Sequence, residues 1–166
     1  MIPDHLPSGW LTQGEAEFLS EIASLAYGPI LEVGCFRGRS TVILASFGRP
    51  VYSVDPFSNF AKADLSGSTI EAEFLENTKH LPNVHLFKMK IEEWAPKPCG
   101  LCYLDGDHTY TGTINQIKIA LQCGPNIIAV HDVNDKGGGL QVKNACLGLL
   151  GHWKRRVERI AKFRIK

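Results

Sequence analysis

Ile30-Leu31-Glu32-Val33-Gly34-Cys35-Phe36-Arg37-Gly38-Arg39-Ser40 runs from a short apolar stretch, broken by one acid, into two glycines with three residues between them. An apolar segment over residues 41–47 follows, so the order reads as strand, glycine turn, helix. The same unit recurs downstream. Val51-Tyr52-Ser53-Val54 ends at Asp55-Pro56, and a periodic segment over residues 70–80 stops before Pro82. Residues 84–87 form a third strand-like run, Leu101-Cys102-Tyr103-Leu104 enters Asp105-Gly106, and Ile127-Ile128-Ala129-Val130 enters His131-Asp132. Between the last two, residues 114–121 have helical spacing. Upstream, Thr12-Gln13-Gly14-Glu15 is a capping box ahead of Leu19, Ile22, Ala23 and Ala26, and Gly28-Pro29 stops that helix, expected over about residues 12–27. Strands apolar on both faces and separated by single helices imply right-handed crossovers, hence a parallel sheet covered on both sides.

Length and composition agree with one such unit. A chain of 166 residues is one domain by length, and at this size folding buries roughly 70% of the unfolded surface without a disulfide or metal staple. A composition of 44% hydrophobic and 21% charged residues, with net charge +1, excludes a disordered chain. No apolar run approaches the roughly 20 residues of a membrane span, so a globular protein with no membrane partner is expected. The opening Met-Ile-Pro-Asp-His-Leu-Pro has neither the basic nor the apolar part of a signal peptide, and the five cysteines are scattered and odd in number. Both favour the cytoplasm with reduced thiols. The balanced charge offers no overall electrostatic case for nucleic acid.

In open α/β sheets ligands bind beyond the carboxyl ends of the strands, so the residues after each strand carry the functional argument. Gly34 and Gly38 let backbone approach a ligand closely, and Ser40 falls in the first turn of the next helix. Phe36 stands where the dinucleotide fingerprint wants its second glycine, which argues against NAD and a nucleotide-dependent oxidoreductase. Asp55, at the end of the second strand, holds the position that grips ribose hydroxyls in such folds. An ordinary strand-to-helix turn would account for two glycines and an acid equally well.

Taken together the motifs resemble a definite family. Leu31-Glu32-Val33-Gly34-Cys35-Phe36-Arg37-Gly38-Arg39-Ser40-Thr41-Val42 is similar to the first motif of class I S-adenosylmethionine-dependent methyltransferases, in the form found in small-molecule O-methyltransferases related to catechol O-methyltransferase. Leu104-Asp105-Gly106-Asp107-His108-Thr109-Tyr110 and Ala129-Val130-His131-Asp132 resemble the D-G-x-H-x-Y and H-D motifs of a branch with sugar and antibiotic O-methyltransferases and cephalosporin-hydroxylase-like proteins. The resemblance spans roughly residues 10–150. It implies a single domain over residues 1–166 with an α/β, Rossmann-like open sheet, mostly parallel, helices on both faces, and a shortened antiparallel edge at the carboxyl end.

The resemblance also implies site residues. Gly34 and Gly38 would pass under the methionine portion of S-adenosylmethionine, Ser40 would bond its carboxylate, and Glu32 would orient the loop and the cofactor amine. Asp55 would take the ribose diol, Met89, Lys90, Ile91 and Glu92 would flank adenine, and Asp105 would meet both the methionine end and the acceptor. Methyl transfer from a sulfonium is an in-line displacement, so the acceptor must be aligned and its hydroxyl must lose a proton. Asp105 and Asp132 with His131 are ligands that suit Mg²⁺ or Mn²⁺, and His108 titrates in the range a general base needs. A Cβ on Gly34 is expected to obstruct the ligand and leave the fold intact.

Plainer roles stand beside these. Asp107 reads as a helix cap or as a metal ligand, His131 as a ligand or a satisfied buried histidine, and His108 as a base or a structural hydrogen-bond partner. Tyr110 reads as a packing residue, and Cys99-Gly100-Leu101-Cys102 lacks the second pair a zinc site needs. Gln116 replaces an acid common in relatives, with a buried contact expected to be lost. Acceptor recognition is expected from residues 57–67, from residues 134–139, or from another subunit of a homo-oligomer. The basic tail from Trp153 onward has no Gly, Pro or Asn to turn on, so one full edge strand is expected there rather than a nucleic-acid patch. The functions in view are an O-methyltransferase of a small hydroxylated molecule and a non-catalytic binder of S-adenosylmethionine or S-adenosylhomocysteine.

Overall fold

The computed structural model describes residues 2–58 and 66–165. Among them a seven-stranded sheet runs in the order β3-β2-β1-β4-β5-β7-β6, with β1 Ile30–Val33, β2 Val51–Val54, β3 Val84–Phe87, β4 Leu101–Leu104, β5 Ile127–Val130, β6 Arg155–Val157 and β7 Ile160–Arg164. The first five strands pair in parallel, β7 lies antiparallel to β5, and β6 is antiparallel to β7. The order reverses between β1 and β4, the switch point at which such sheets open a crevice.

Alternation along each strand sorts the core into two layers. Leu31, Val33, Cys102, Leu104, Ile128 and Val130 face α4 (Tyr110–Gln122) and α5 (Gly137–Leu150). Ile30, Leu101, Tyr103, Ile127 and Ala129 face α1 (Gln13–Ser24) and α2 (Arg39–Ala45). A smaller cluster holds Phe57 against Ile70 and Phe74 of α3 (Gly67–Thr78). The capping box of α1 forms as expected, with Thr12 accepting the Glu15 N–H and the Glu15 carboxylate accepting the Thr12 N–H. None of the described helices is long and apolar enough to cross a membrane. All five cysteines are buried and free.

Two expectations need correction. The tail makes a hairpin rather than one strand: β6 and β7 pair Val157 with Ile160 across a turn at Glu158 and Arg159. Glu158 takes φ +47 without help from glycine, and the turn is held instead by tertiary bonds. Thr12 donates to Glu158, and Arg159 bonds Glu15, Asp132 and the Trp10 carbonyl. The antiparallel edge is short all the same, because β6 has three residues. Gln116 also loses no contact. Its amide oxygen accepts the Gly106 N–H at 3.2 Å and its amide nitrogen donates to the Asp107 carbonyl at 2.8 Å, a pairing an ionised acid could not complete.

Candidate active site

Strand register sets the site. Val33 is level with Val54 and with Leu104, and Leu104 with Val130, so Gly34, Asp55, Asp105 and His131 follow their strands in one row. A cavity of about 1040 Å³ lies along this row, ample for a nucleoside joined to an amino acid. Asp55, Lys90, Ile91 and Glu92 line its β2–β3 side, Gly34, Cys35, Phe36 and Ser40 its middle, and Asp105, His108, His131 and Asp132 its β4–β5 side.

The first turn is shaped by positive backbone angles and one carboxylate. Gly34 has φ +82 and Gly38 φ +87, and Phe36 between them takes φ +48, a conformation L residues adopt at a cost of order 1 kcal/mol or more. Asp55 stabilises it: Oδ2 accepts the N–H groups of Cys35 and Phe36 at 2.9 and 3.0 Å, and Oδ1 accepts that of Phe57 at 2.8 Å. The carboxylate expected from the resemblance to take the cofactor's ribose thus braces the loop. A Cβ on Gly34 would lie 2.2 Å from the Asp105 carbonyl oxygen, so substitution there collides with neighbouring backbone before it meets any ligand. That overturns the expectation of an intact fold.

Three of the expected cofactor residues stand behind the cavity wall. Glu32 is fully buried and receives hydrogen bonds from Ser40, Thr41 and Ser53, and burial pushes its carboxyl up to about 7 against the effect of those three hydroxyls. Its reach is through Ser40, which does line the cavity. Gly38 caps α2 and faces Phe74 and Thr78, and Met89 packs against the core. On the acceptor side, Asp107 accepts the Thr109 N–H just ahead of the cap that Thr109 itself provides for α4. Asp107 is therefore bonded in the turn and stands outside the cluster of close ligand atoms formed by Asp105, His131 and Asp132. Tyr110 is half exposed, and its N–H donates to Gln141.

The β4 and β5 ends carry the strongest electrostatics. His131 is buried, with Nδ1 3.2 Å from Asp105 Oδ1 and 3.5 Å from Asp132 Oδ1, and Nε2 3.4 Å from Glu15 Oε2. Burial alone would discharge this ring, but the surrounding carboxylates overcome it and push its pKa up to about 12. Asp105 and Asp132 are held below the usual carboxylate range, since the His131 charge outweighs the burial that would raise them. His108 Nε2 lies 3.3 Å from Asp105 Oδ1 and 3.5 Å from Asp132 Oδ2; the Asp105 contact raises its pKa, partly opposed by burial. Asp132 itself takes φ +55.

The donor set fits a divalent cation. One ligand atom each from Asp105, His131 and Asp132 fall within 4.8 Å of one another, and both nitrogens of the buried His131 ring lack an aligned hydrogen bond among the described residues; a cation bound there takes the place of the ring proton that the carboxylates otherwise hold.

Two residues whose local pattern points elsewhere, and one segment without a local signature, come to the site. Glu15, read as a helix cap, and Arg159, read as part of a basic edge, meet beside His131 and Asp132. Residues 7–11 form a strap along the cavity, held by Arg39 donating to the Pro7 and Leu11 carbonyls, with Trp10 stacked on Phe36 at 4.6 Å between ring centroids. Residues 134–139 do not line the cavity; 137–139 open α5. Of the other expected acceptor loop, Ser58 lines the cavity and residues 59–65 lie outside the described residues.

Residues 31–133 match a family model described as a methyltransferase domain. The fold is similar to the apo structure of CalS11, a TDP-rhamnose 3'-O-methyltransferase of calicheamicin biosynthesis, at 16% identity over 93% of this chain and 81% of that one, with a TM-score of 0.65. It is similar to the O-methyltransferase from Bacillus cereus in complex with SAH (18% identity, 87% and 72% of the chains, TM-score 0.61). It also resembles the N-methyltransferase NodS from Bradyrhizobium japonicum in complex with S-adenosyl-L-homocysteine (16%, 92% and 87%, 0.68). No curated protein matches the sequence.

Proposed function

The chain belongs to the methyltransferase-domain family, and from that we propose that it transfers the methyl group of S-adenosylmethionine to a hydroxyl of a small molecule. One observation carries the reading: Asp105, His108, His131 and Asp132 converge on a single cavity that the glycine turn and Asp55 also line. A pure binder has no need of two acids and two histidines held together against their burial. The Bacillus cereus O-methyltransferase and the N-methyltransferase NodS both hold S-adenosylhomocysteine, which supports this cofactor; oxygen as acceptor rests on His108 beside Asp105, a base for a hydroxyl proton.

In this reading the Gly34 turn and Ser40 meet the methionine portion, Asp55 the ribose, and Lys90 with Ile91 and Glu92 the adenine. His108, half exposed at the cavity, takes the acceptor proton, and Asp105 steadies the resulting imidazolium at 3.3 Å. Asp105, His131 and Asp132 would hold Mg²⁺ or Mn²⁺, which supplies a Lewis acid that lowers the acceptor hydroxyl's pKa. A metal-free variant of the reaction has one observation in its favour: Arg159 Nη1 already lies 2.9 Å from Asp132 Oδ1 and supplies positive charge there. Calorimetric titration with S-adenosylmethionine, S-adenosylhomocysteine and NAD, with and without Mg²⁺, tests the whole. Binding of the first two and not of NAD is expected, and binding of NAD alone rejects the reading.

A further inference from the structure

We propose that Glu15 is a positioning residue for the reaction centre: from the first turn of α1 its carboxylate holds the His131 ring and the Arg159 guanidinium, so that His131 presents Nδ1 to the cavity. This rests on reading Asp105, His108, His131 and Asp132 as that centre. Nothing in the capping role of Glu15 requires a charge. A capping box is closed equally by Gln, whose amide oxygen can accept the N-cap N–H. Yet an acid stands here with no exposed surface at all, where an unpaired carboxylate would be strongly unfavourable.

Its partners explain it. Glu15 Oε1 accepts the backbone N–H of Arg159 at 3.2 Å and its Nε at 2.9 Å. Oε2 accepts Arg159 Nη2 and the Thr12 N–H, each at 3.0 Å, and faces His131 Nε2 at 3.4 Å. Asp105 Oδ1 faces the other ring nitrogen at 3.2 Å, so the imidazole lies between two carboxylates as an ion pair, with neither nitrogen in an aligned hydrogen bond among the described residues. A carboxylate behind one nitrogen of a ligating histidine orients the ring and raises the basicity of the other nitrogen. The same carboxylate sets the planar fork of Arg159, whose Nη1 then fixes Asp132. One acid thereby places two members of the centre, and it does so from an element 116 positions upstream of His131 in sequence (131 minus 15).

The test separates the cap from the charge. Mn²⁺ is titrated calorimetrically into the full chain, into Glu15→Gln, which keeps the capping box, and into Thr12→Ala, which breaks the box and the hydroxyl's bond to Glu158 but keeps the Glu15 carboxylate and its bonds to Arg159. Glu15→Gln is expected to weaken Mn²⁺ about 10- to 100-fold. Thr12→Ala is expected to melt at lower temperature with Mn²⁺ affinity unchanged, and both variants should bind S-adenosylhomocysteine like the unmodified chain. Wild-type Mn²⁺ affinity in folded Glu15→Gln overturns the proposal. Should Glu15→Gln not fold, Glu15→Asp keeps the charge but withdraws it by one methylene, and unchanged affinity there overturns it equally. If the unmodified chain takes up no Mn²⁺, the metal reading has failed, and the ¹⁵N resonances of the His131 ring decide instead. They must shift in Glu15→Gln and not in Thr12→Ala, and an unshifted ring overturns the proposal.

Discussion

Gly34 and Asp105, which follow neighbouring parallel strands, approach so closely that a Cβ on Gly34 would lie 2.2 Å from the Asp105 carbonyl oxygen. The two sides of the switch point thus meet backbone against backbone, and the width of the crevice between β1 and β4 is set where Gly34 leaves room for Asp105 and Gly106.

Gly34→Ala combines that overlap with the strain of φ +82. Stability should fall by roughly 2 to 5 kcal/mol. Gly28→Ala, with φ +77 and nothing within 4 Å of the added carbon, should lose only the conformational part, about 1 to 2 kcal/mol. Urea denaturation of the pair checks this, and equal losses would show that the contact with Asp105 relaxes freely.

Asp55→Ala removes the acceptor of three backbone N–H groups, those of Cys35, Phe36 and Phe57. Each buried donor left unpaired is worth about 1 to 3 kcal/mol. The variant should therefore lose at least about 2 kcal/mol of stability and also bind S-adenosylmethionine more than about tenfold more weakly. Weaker binding with an unchanged denaturation curve would assign Asp55 to the ribose alone.

Gln116→Glu keeps the acceptor for Gly106 but sets a carboxylate oxygen against the Asp107 carbonyl. At a buried site this repulsion and lost bond should lower stability by about 1 to 3 kcal/mol, visible as a lower melting temperature. A melting temperature equal to that of the unmodified chain would show that the amide does not secure the Asp105–Asp107 turn.

His131 ties stability to pH. Its pKa rises from 6.5 to about 12 on folding, so its contribution is full below pH 6.5 and is lost progressively as pH climbs towards 12. Glu15 works in the opposite sense: its acid is lowered to about 2, because bonds from His131 and Arg159 outweigh burial, and its contribution falls away as pH drops from 4.5 through 2. Denaturation measured from about pH 6.5 to about pH 9 should therefore show stability falling by up to about 1.4 kcal/mol per pH unit. His131→Gln should flatten that slope, and a slope that survives the substitution belongs to another group.

Much of this molecule is written locally in its sequence. Five strand-like runs separated by single helices imply the parallel sheet, and because parallel register aligns the strand ends, residues following those runs had to lie in one row: Gly34, Asp55, Asp105 and His131. The membership of that row was legible because residue type and position along a strand are both local facts. The position of Glu15 and Arg159 beside it was not. One carries the signature of a helix cap and the other that of a basic edge, and only packing of the first helix against the last hairpin brings them together across 144 positions of sequence. The hairpin turn itself was hidden for the same reason, since tertiary bonds to Glu158 and Arg159 support a backbone angle that local preference disfavours. Periodicity determines which faces are buried; which polar partners meet once those faces pack is decided in three dimensions, by whichever charged groups must be paired to leave water.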